Sequence, residues 1–168
     1  VTRGSAGPAT GLAGNLAGFA ACAALLGYAL YSQQVLGLEP CPLCIFQRVA
    51  VLATGLAFLG AALHRAGRRG SVAWAVLIAL IAVAGAAIAV RHVWIAAQPP
   101  GTVAECGASL DYMLEVLPLK EVLTKVLTGS GECGEIDWRF LGLSMPAWVL
   151  VWLLALGAWG LFVNLRRR

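Results

Sequence analysis

Cys41 and Cys44 enclose two residues in the run Cys41-Pro42-Leu43-Cys44-Ile45-Phe46-Gln47-Arg48, at the mouth of a long apolar segment. If that segment is helical, positions 44 and 48 lie one turn apart on one face. A guanidinium so placed favours the thiolate of Cys44, which is the reactive form of cysteine. The free N–H groups of a helix N-terminus favour negative charge as well. These residues describe a thiol redox centre at a membrane surface.

The chain has five cysteines. Cys22 falls in the middle of the first apolar run, where cysteine serves as a small apolar filler. Cys106 follows the break Pro99-Pro100-Gly101, and Cys133 follows the turn-forming Thr128-Gly129-Ser130-Gly131. Three readings of Cys41, Cys44, Cys106 and Cys133 compete. Two static disulfides would only staple the fold, but a C-x-x-C loop is too short to gain much entropy that way. A four-cysteine zinc site favours two close pairs, and here the second pair is far apart in sequence, so no structural metal is expected. Reversible thiol–disulfide exchange uses a close pair with a lowered thiol pKa. Arg91 and His92 stand near the end of the third apolar run, where ionisable groups are costly and suggest function. Arg91 and Arg48 each have an alternative reading as snorkelling side chains. His92 reads equally as a satisfied interfacial histidine or as a group that donates to a carbonyl oxygen or carries a proton.

The elements that must position these residues are membrane helices. Of 168 residues, 60% are hydrophobic and 12% charged, and the mean hydropathy is +0.83. Soluble domains average about 25% charged. Four apolar runs are long enough to span the hydrocarbon core as helices: Leu12 to Leu36, Ile45 to Leu63, Val72 to Ala97 and Met145 to Asn164. The first is too long for a signal-peptide core and is read as a retained span. A G-x-x-x-G at Gly14 and Gly18 suits close helix approach. The expected fold is an all-α, single-domain bundle of four transmembrane helices over residues 1–168.

Charge sets the expected orientation. Arg65, Arg68 and Arg69 lie between the second and third runs, Arg3 lies near the start, and Arg166, Arg167 and Arg168 lie at the end. By the positive-inside rule these face the cytoplasm, with both termini inside. Glu39, Glu105, Asp111, Glu115, Glu121, Glu132, Glu135 and Asp137 all fall in the two outer loops, at about 37–44 and 98–144. That segregation explains the net charge of +4 without a nucleic-acid partner. It also exposes Cys41, Cys44, Cys106 and Cys133 to a compartment where disulfides persist. Within the long outer loop, Leu119, Val122, Leu123, Val126 and Leu127 repeat at helical spacing. This predicts a short amphipathic helix, lying in the interface or packed on the ends of the spans.

Taken with the pair Cys106 and Cys133 and the run Trp138-Arg139-Phe140-Leu141-Gly142-Leu143-Ser144-Met145-Pro146-Ala147-Trp148, these features resemble the DsbB family of bacterial inner-membrane disulfide bond formation proteins. The resemblance covers nearly the whole chain. Some members have an acid where this chain has Gln47, and Cys22 is outside the family's redox set. The resemblance implies an electron relay from a DsbA-like periplasmic thiol oxidase to a membrane quinone, ubiquinone or menaquinone. In it, Cys106–Cys133 is the disulfide that reduced DsbA attacks, with Cys106 in the mixed disulfide. Cys133 then attacks Cys41 and releases Cys44 as a thiolate. Cys44 contacts the quinone, and Arg48 and His92 assist there. DsbA is a strong oxidant, so its reoxidation needs an acceptor of still higher potential, which a quinone can be. Two other readings stand beside this one: a quinone-linked oxidoreductase of the vitamin K epoxide reductase type, and a non-catalytic membrane scaffold with static disulfides.

Overall fold

The computed structural model describes residues 8–38, 40–64, 67–98, 115–118, 120–122 and 139–166. Four long helices dominate: α1 (Pro8–Gln34), α2 (Pro42–His64), α3 (Arg68–Ala96) and α4 (Met145–Leu165). They contain 27, 23, 29 and 21 residues. At about 1.5 Å per residue, each reaches across about 30 Å of hydrocarbon. All four are apolar enough to cross a membrane. Pro42 and Pro146 sit in the first turns of α2 and α4, where a missing N–H leaves no helical bond unmade.

The chain runs up and down. α1 packs along α2, α2 along α3, and α3 along α4, while α1 meets α4 less extensively. The end of α1, the start of α2, the end of α3 and the start of α4 therefore share one end of the bundle. A two-stranded antiparallel hairpin, β1 (Arg139–Phe140) and β2 (Leu143–Ser144), leads into α4 at that end. Its turn has positive φ at both Leu141 (51°) and Gly142 (80°), as tight hairpins require.

Hydrocarbon gives helices no hydrophobic reason to associate, so packing and polar contacts must hold them together. Phe58 is fully buried at the centre. A Cβ added at Gly18 would lie 2.7 Å from the Phe58 ring, so only glycine lets α1 approach there. Gly14, one turn earlier, lies instead against Val163 of α4. The G-x-x-x-G thus serves two neighbours. Cys22 is buried in the same core, against Gly55 of α2. Gly18→Ala is expected to destabilise the bundle by about 1–3 kcal/mol through overpacking, read as a lower midpoint of thermal unfolding in detergent.

At the opposite end, Asn15 of α1 and Asn164 of α4 are both buried and exchange two hydrogen bonds, of 3.1 and 2.9 Å. Trp159 Nε1 donates to Gly14 O beside them. Each amide thereby satisfies the other in a medium that offers no water.

The predicted amphipathic helix is described only in part. Residues 120–122 form one helical turn, with the amides of Glu121 and Val122 bonded to Pro118 O. Val122 is buried in a cluster with Cys41, Leu43 and Ile95, and Leu117 packs beside it. This turn is seated on the ends of α2 and α3. Leu119, Leu123, Val126 and Leu127 lie outside the described residues.

Candidate functional site

Cys41 is the residue before the first turn of α2. Its carbonyl accepts the first helical bond, from Ile45 N–H at 3.2 Å, and its Sγ accepts from Cys44 N–H at 3.3 Å. The sulfur therefore occupies the place of a capping oxygen. The helix N-terminus thus presents a donor to Cys41. Cys44 lies within the first turn and is half-buried, while Cys41 is buried. Both are free thiols, and the Cys41 thiol donates to Cys44 Sγ at 3.1 Å. A disulfide bond is about 2.05 Å long, so roughly 1 Å of closure separates the dithiol from the disulfide.

His92 reaches this pair from α3. It is buried, with Nε2 3.6 Å from Cys41 Sγ. Its Nδ1 is 2.8 Å from the Gln47 side-chain nitrogen. With the amide donating to Nδ1, the ring proton sits on Nε2 and faces the sulfur. With the amide turned so that its oxygen accepts from Nδ1–H, Nε2 offers the sulfur its lone pair. The Gln47–His92 pair can therefore hold a proton beside Cys41 or accept one from it.

Gln47 is the residue that sequence reasoning passed over. It is buried, one turn beyond Cys44 on α2, and sets the orientation of the imidazole. Its signal was an amide in an apolar run, which needs a partner once buried.

The Arg48 guanidinium lines the same cavity as Cys44. Among the described residues it donates to Gln33 Oε1 and to Ala29 O, the latter at 3.0 Å, both on α1. The charge is thus held on the cavity wall by the neighbouring helix. Arg91 lies over the Trp94 ring, 4.4 Å from its centroid. Cys106 and Cys133 lie outside the described residues.

The cavity measures about 540 Å³, within the range of small-molecule sites. Cys41, Cys44, Gln47, Arg48 and His92 supply its polar end, and Leu25, Ala29, Val51, Val149 and Trp152 its apolar walls. Phe140, Met145, Pro146 and Trp148 close it from the hairpin and α4. Trp148 Nε1 donates to Phe140 O at 3.0 Å, and the two rings lie 6.0 Å apart, which pins the hairpin to α4. A smaller groove between α1 and α4, lined by Gly18, Leu156 and Trp159, shares Ala21 and Trp152 with the cavity. The site suits a flat ring with hydrogen-bond acceptors on its edge and an apolar tail.

The family model described as disulfide bond formation protein DsbB matches residues 13–163. Among similar proteins, Disulfide bond formation protein B of Methylococcus capsulatus (strain Bath) is 53% identical over 146 residues, covering 87% of this chain and 89% of that protein. Disulfide bond formation protein B of Xanthomonas campestris pv. campestris (strain 8004) is 50% identical over 154 residues, covering 91% and 90%. That of Chromobacterium violaceum is 48% identical over 149 residues, covering 89% and 90%.

Proposed function

Because this chain belongs to the DsbB family, and is with it a disulfide-forming multi-pass membrane oxidoreductase, we propose that it draws electrons from a DsbA-like periplasmic dithiol and delivers them to a membrane quinone. The observation that carries the reading is the meeting of a vicinal dithiol, a guanidinium and an imidazole at the polar end of one apolar cavity.

The relay balances as follows. One thiolate of reduced DsbA attacks Cys106–Cys133, forming a mixed disulfide with Cys106 and freeing Cys133. The second DsbA thiol resolves that bond, so DsbA leaves oxidised. Cys133 attacks the Cys41–Cys44 disulfide and bonds Cys41, and Cys44 departs as a thiolate into the cavity. Cys106 returns to Cys133, leaving Cys41 and Cys44 as a dithiol. Two electrons have then reached the cavity. A quinone held there supplies a two-electron, two-proton acceptor. The residues fit such a group: apolar walls for the ring, and Arg48 and His92 as donors for its oxygens. The cation at Arg48 favours the Cys44 thiolate, and Gln47–His92 takes the proton from Cys41 as the disulfide re-forms. The cysteine end faces the periplasm and both termini face the cytoplasm, in keeping with the basic residues at the opposite end.

The test is anaerobic turnover of purified protein with reduced DsbA and either ubiquinone or menaquinone, following loss of quinone ultraviolet absorbance. One quinone should be consumed per DsbA oxidised. DsbA that stays reduced under these conditions would sink the reading, and a static scaffold predicts that result.

Trp148→Leu removes the bond to Phe140 O and part of the cavity wall. Its quinone KM is expected to rise about tenfold, since a lost hydrogen bond is worth about 0.5–1.5 kcal/mol and the lost aromatic contact adds to it. Capture of reduced DsbA should be unchanged. A quinone titration at fixed DsbA checks both.

A further inference from the structure

Cys41 Sγ, Cys44 Sγ and a ring nitrogen of His92 all lie within 4.8 Å of one another. The relay uses the two sulfurs as a redox pair and the imidazole as a proton carrier beside Cys41, but nothing in it calls on the three atoms together as a ligand set. We propose that the dithiol form of this centre captures one thiophilic cation of the zinc class on Cys41, Cys44 and His92, and is thereby withheld from disulfide formation. The inference stands on the geometry of three ligand atoms and is independent of the quinone reading.

The distances suit it. Zinc binds thiolate at about 2.3 Å and imidazole at about 2.0–2.1 Å in tetrahedral array, so bound ligand atoms lie about 3.8 Å apart for two sulfurs and about 3.5 Å for sulfur and nitrogen. Cys41 Sγ and His92 Nε2 are already 3.6 Å apart. The sulfurs, at 3.1 Å, need to open by about 0.7 Å to reach the separation of two zinc-bound thiolates, within reach of a side-chain torsion. All three residues line the cavity, which leaves the fourth corner open to water.

A second observation comes from Gln47. A metal-binding histidine usually donates its other ring N–H to a fixed acceptor, which sets the tautomer. Here Nδ1 is held at 2.8 Å by the buried Gln47 amide, and the nitrogen left over faces Cys41. With the amide oxygen accepting from Nδ1–H, the Nε2 lone pair points where a cation would sit. Capture exchanges the thiol protons for the cation and moves no electrons. The disulfide form offers no thiolates, so the site exists only after electrons have arrived. Such a cation competes with disulfide closure and marks the reduced enzyme as a target of metal excess.

The experiment uses the full chain carrying Cys106→Ser and Cys133→Ser, in detergent and without quinone. Cadmium ion is titrated into the reduced and the Cys41–Cys44-oxidised protein, and the ultraviolet thiolate-to-cadmium absorption is followed. One cadmium per reduced chain is expected, displaced by zinc ion, with none in the oxidised chain. His92→Ala should weaken binding at least tenfold. Gln47→Leu, which leaves all three ligands in place, should weaken it by about 10–100-fold, and Gln47→Glu should restore it. Equal binding by the oxidised chain overturns the proposal. So does an affinity unchanged in both His92→Ala and Gln47→Leu, which would reduce the site to a bare pair of thiols.

Discussion

Cys44→Ser is expected to stop catalytic turnover while leaving a single round of dithiol oxidation intact. In the proposed relay the Cys106–Cys133 disulfide can still accept electrons once from reduced DsbA. With serine at position 44 there is no Cys41–Cys44 disulfide for Cys133 to attack. A hydroxyl cannot form the sulfur–sulfur bond that returns Cys41 to its oxidised state. The fold should tolerate the change, since Cys44 is only half-buried and its backbone N–H still reaches Cys41 Sγ. The measurement is a count of DsbA oxidised per protein over time. Wild type should continue until quinone is exhausted, and the variant should halt near one equivalent. Sustained turnover by the variant would remove Cys44 from the electron path.

Arg48→His should act at the cavity instead. The guanidinium reaches across to Gln33 and Ala29 of α1, and a shorter imidazole gives up that bridge and most of the charge. Hydrogen bonds to charged groups are worth about 1.5–3 kcal/mol, so the quinone KM is expected to rise by about 10–100-fold. Capture of reduced DsbA should stay near wild type, because in the proposed relay that step belongs to Cys106–Cys133 and uses no residue that lines the cavity. A quinone titration separates the two effects. Gln33→Leu is the control for a purely mechanical role, since it cuts one tie to α1 and keeps the cation. If it raises KM as much as Arg48→His, Arg48 acts as a strut between helices. An unchanged KM in Arg48→His would dismiss both roles.

The four helices were legible because long apolar runs admit few alternatives in a chain with so few charges. That Cys44 and Arg48 sit one turn apart on α2 was legible from spacing, whereas the bonds that hold the guanidinium to Gln33 and Ala29 of α1 were not. The position of His92 against Cys41 was not, because it depends on how α3 is rotated against α2, which no local pattern encodes. Gln47 was hidden for the same reason: an amide reveals its partner only when a second helix brings one. The run before α4 carried the resemblance, yet that it forms a hairpin, and what the hairpin does, emerge only when Trp148 is seen bonded to Phe140 above the cavity. Val122 shows the limit of periodicity, which marks an apolar face without saying whether lipid or protein covers it.

The reciprocal bond between Asn15 and Asn164 joins α1 to α4, a helix made well after it. During synthesis Asn15 enters the bilayer long before its partner is translated. Throughout that interval α1 carries an amide that hydrocarbon cannot solvate, and the α4 wall of the cavity is missing too. Arrival of α4 relieves both deficits at once. The cavity is therefore complete only once α4 has been made, and a nascent chain still lacking it holds its thiols without a closed chamber beside them.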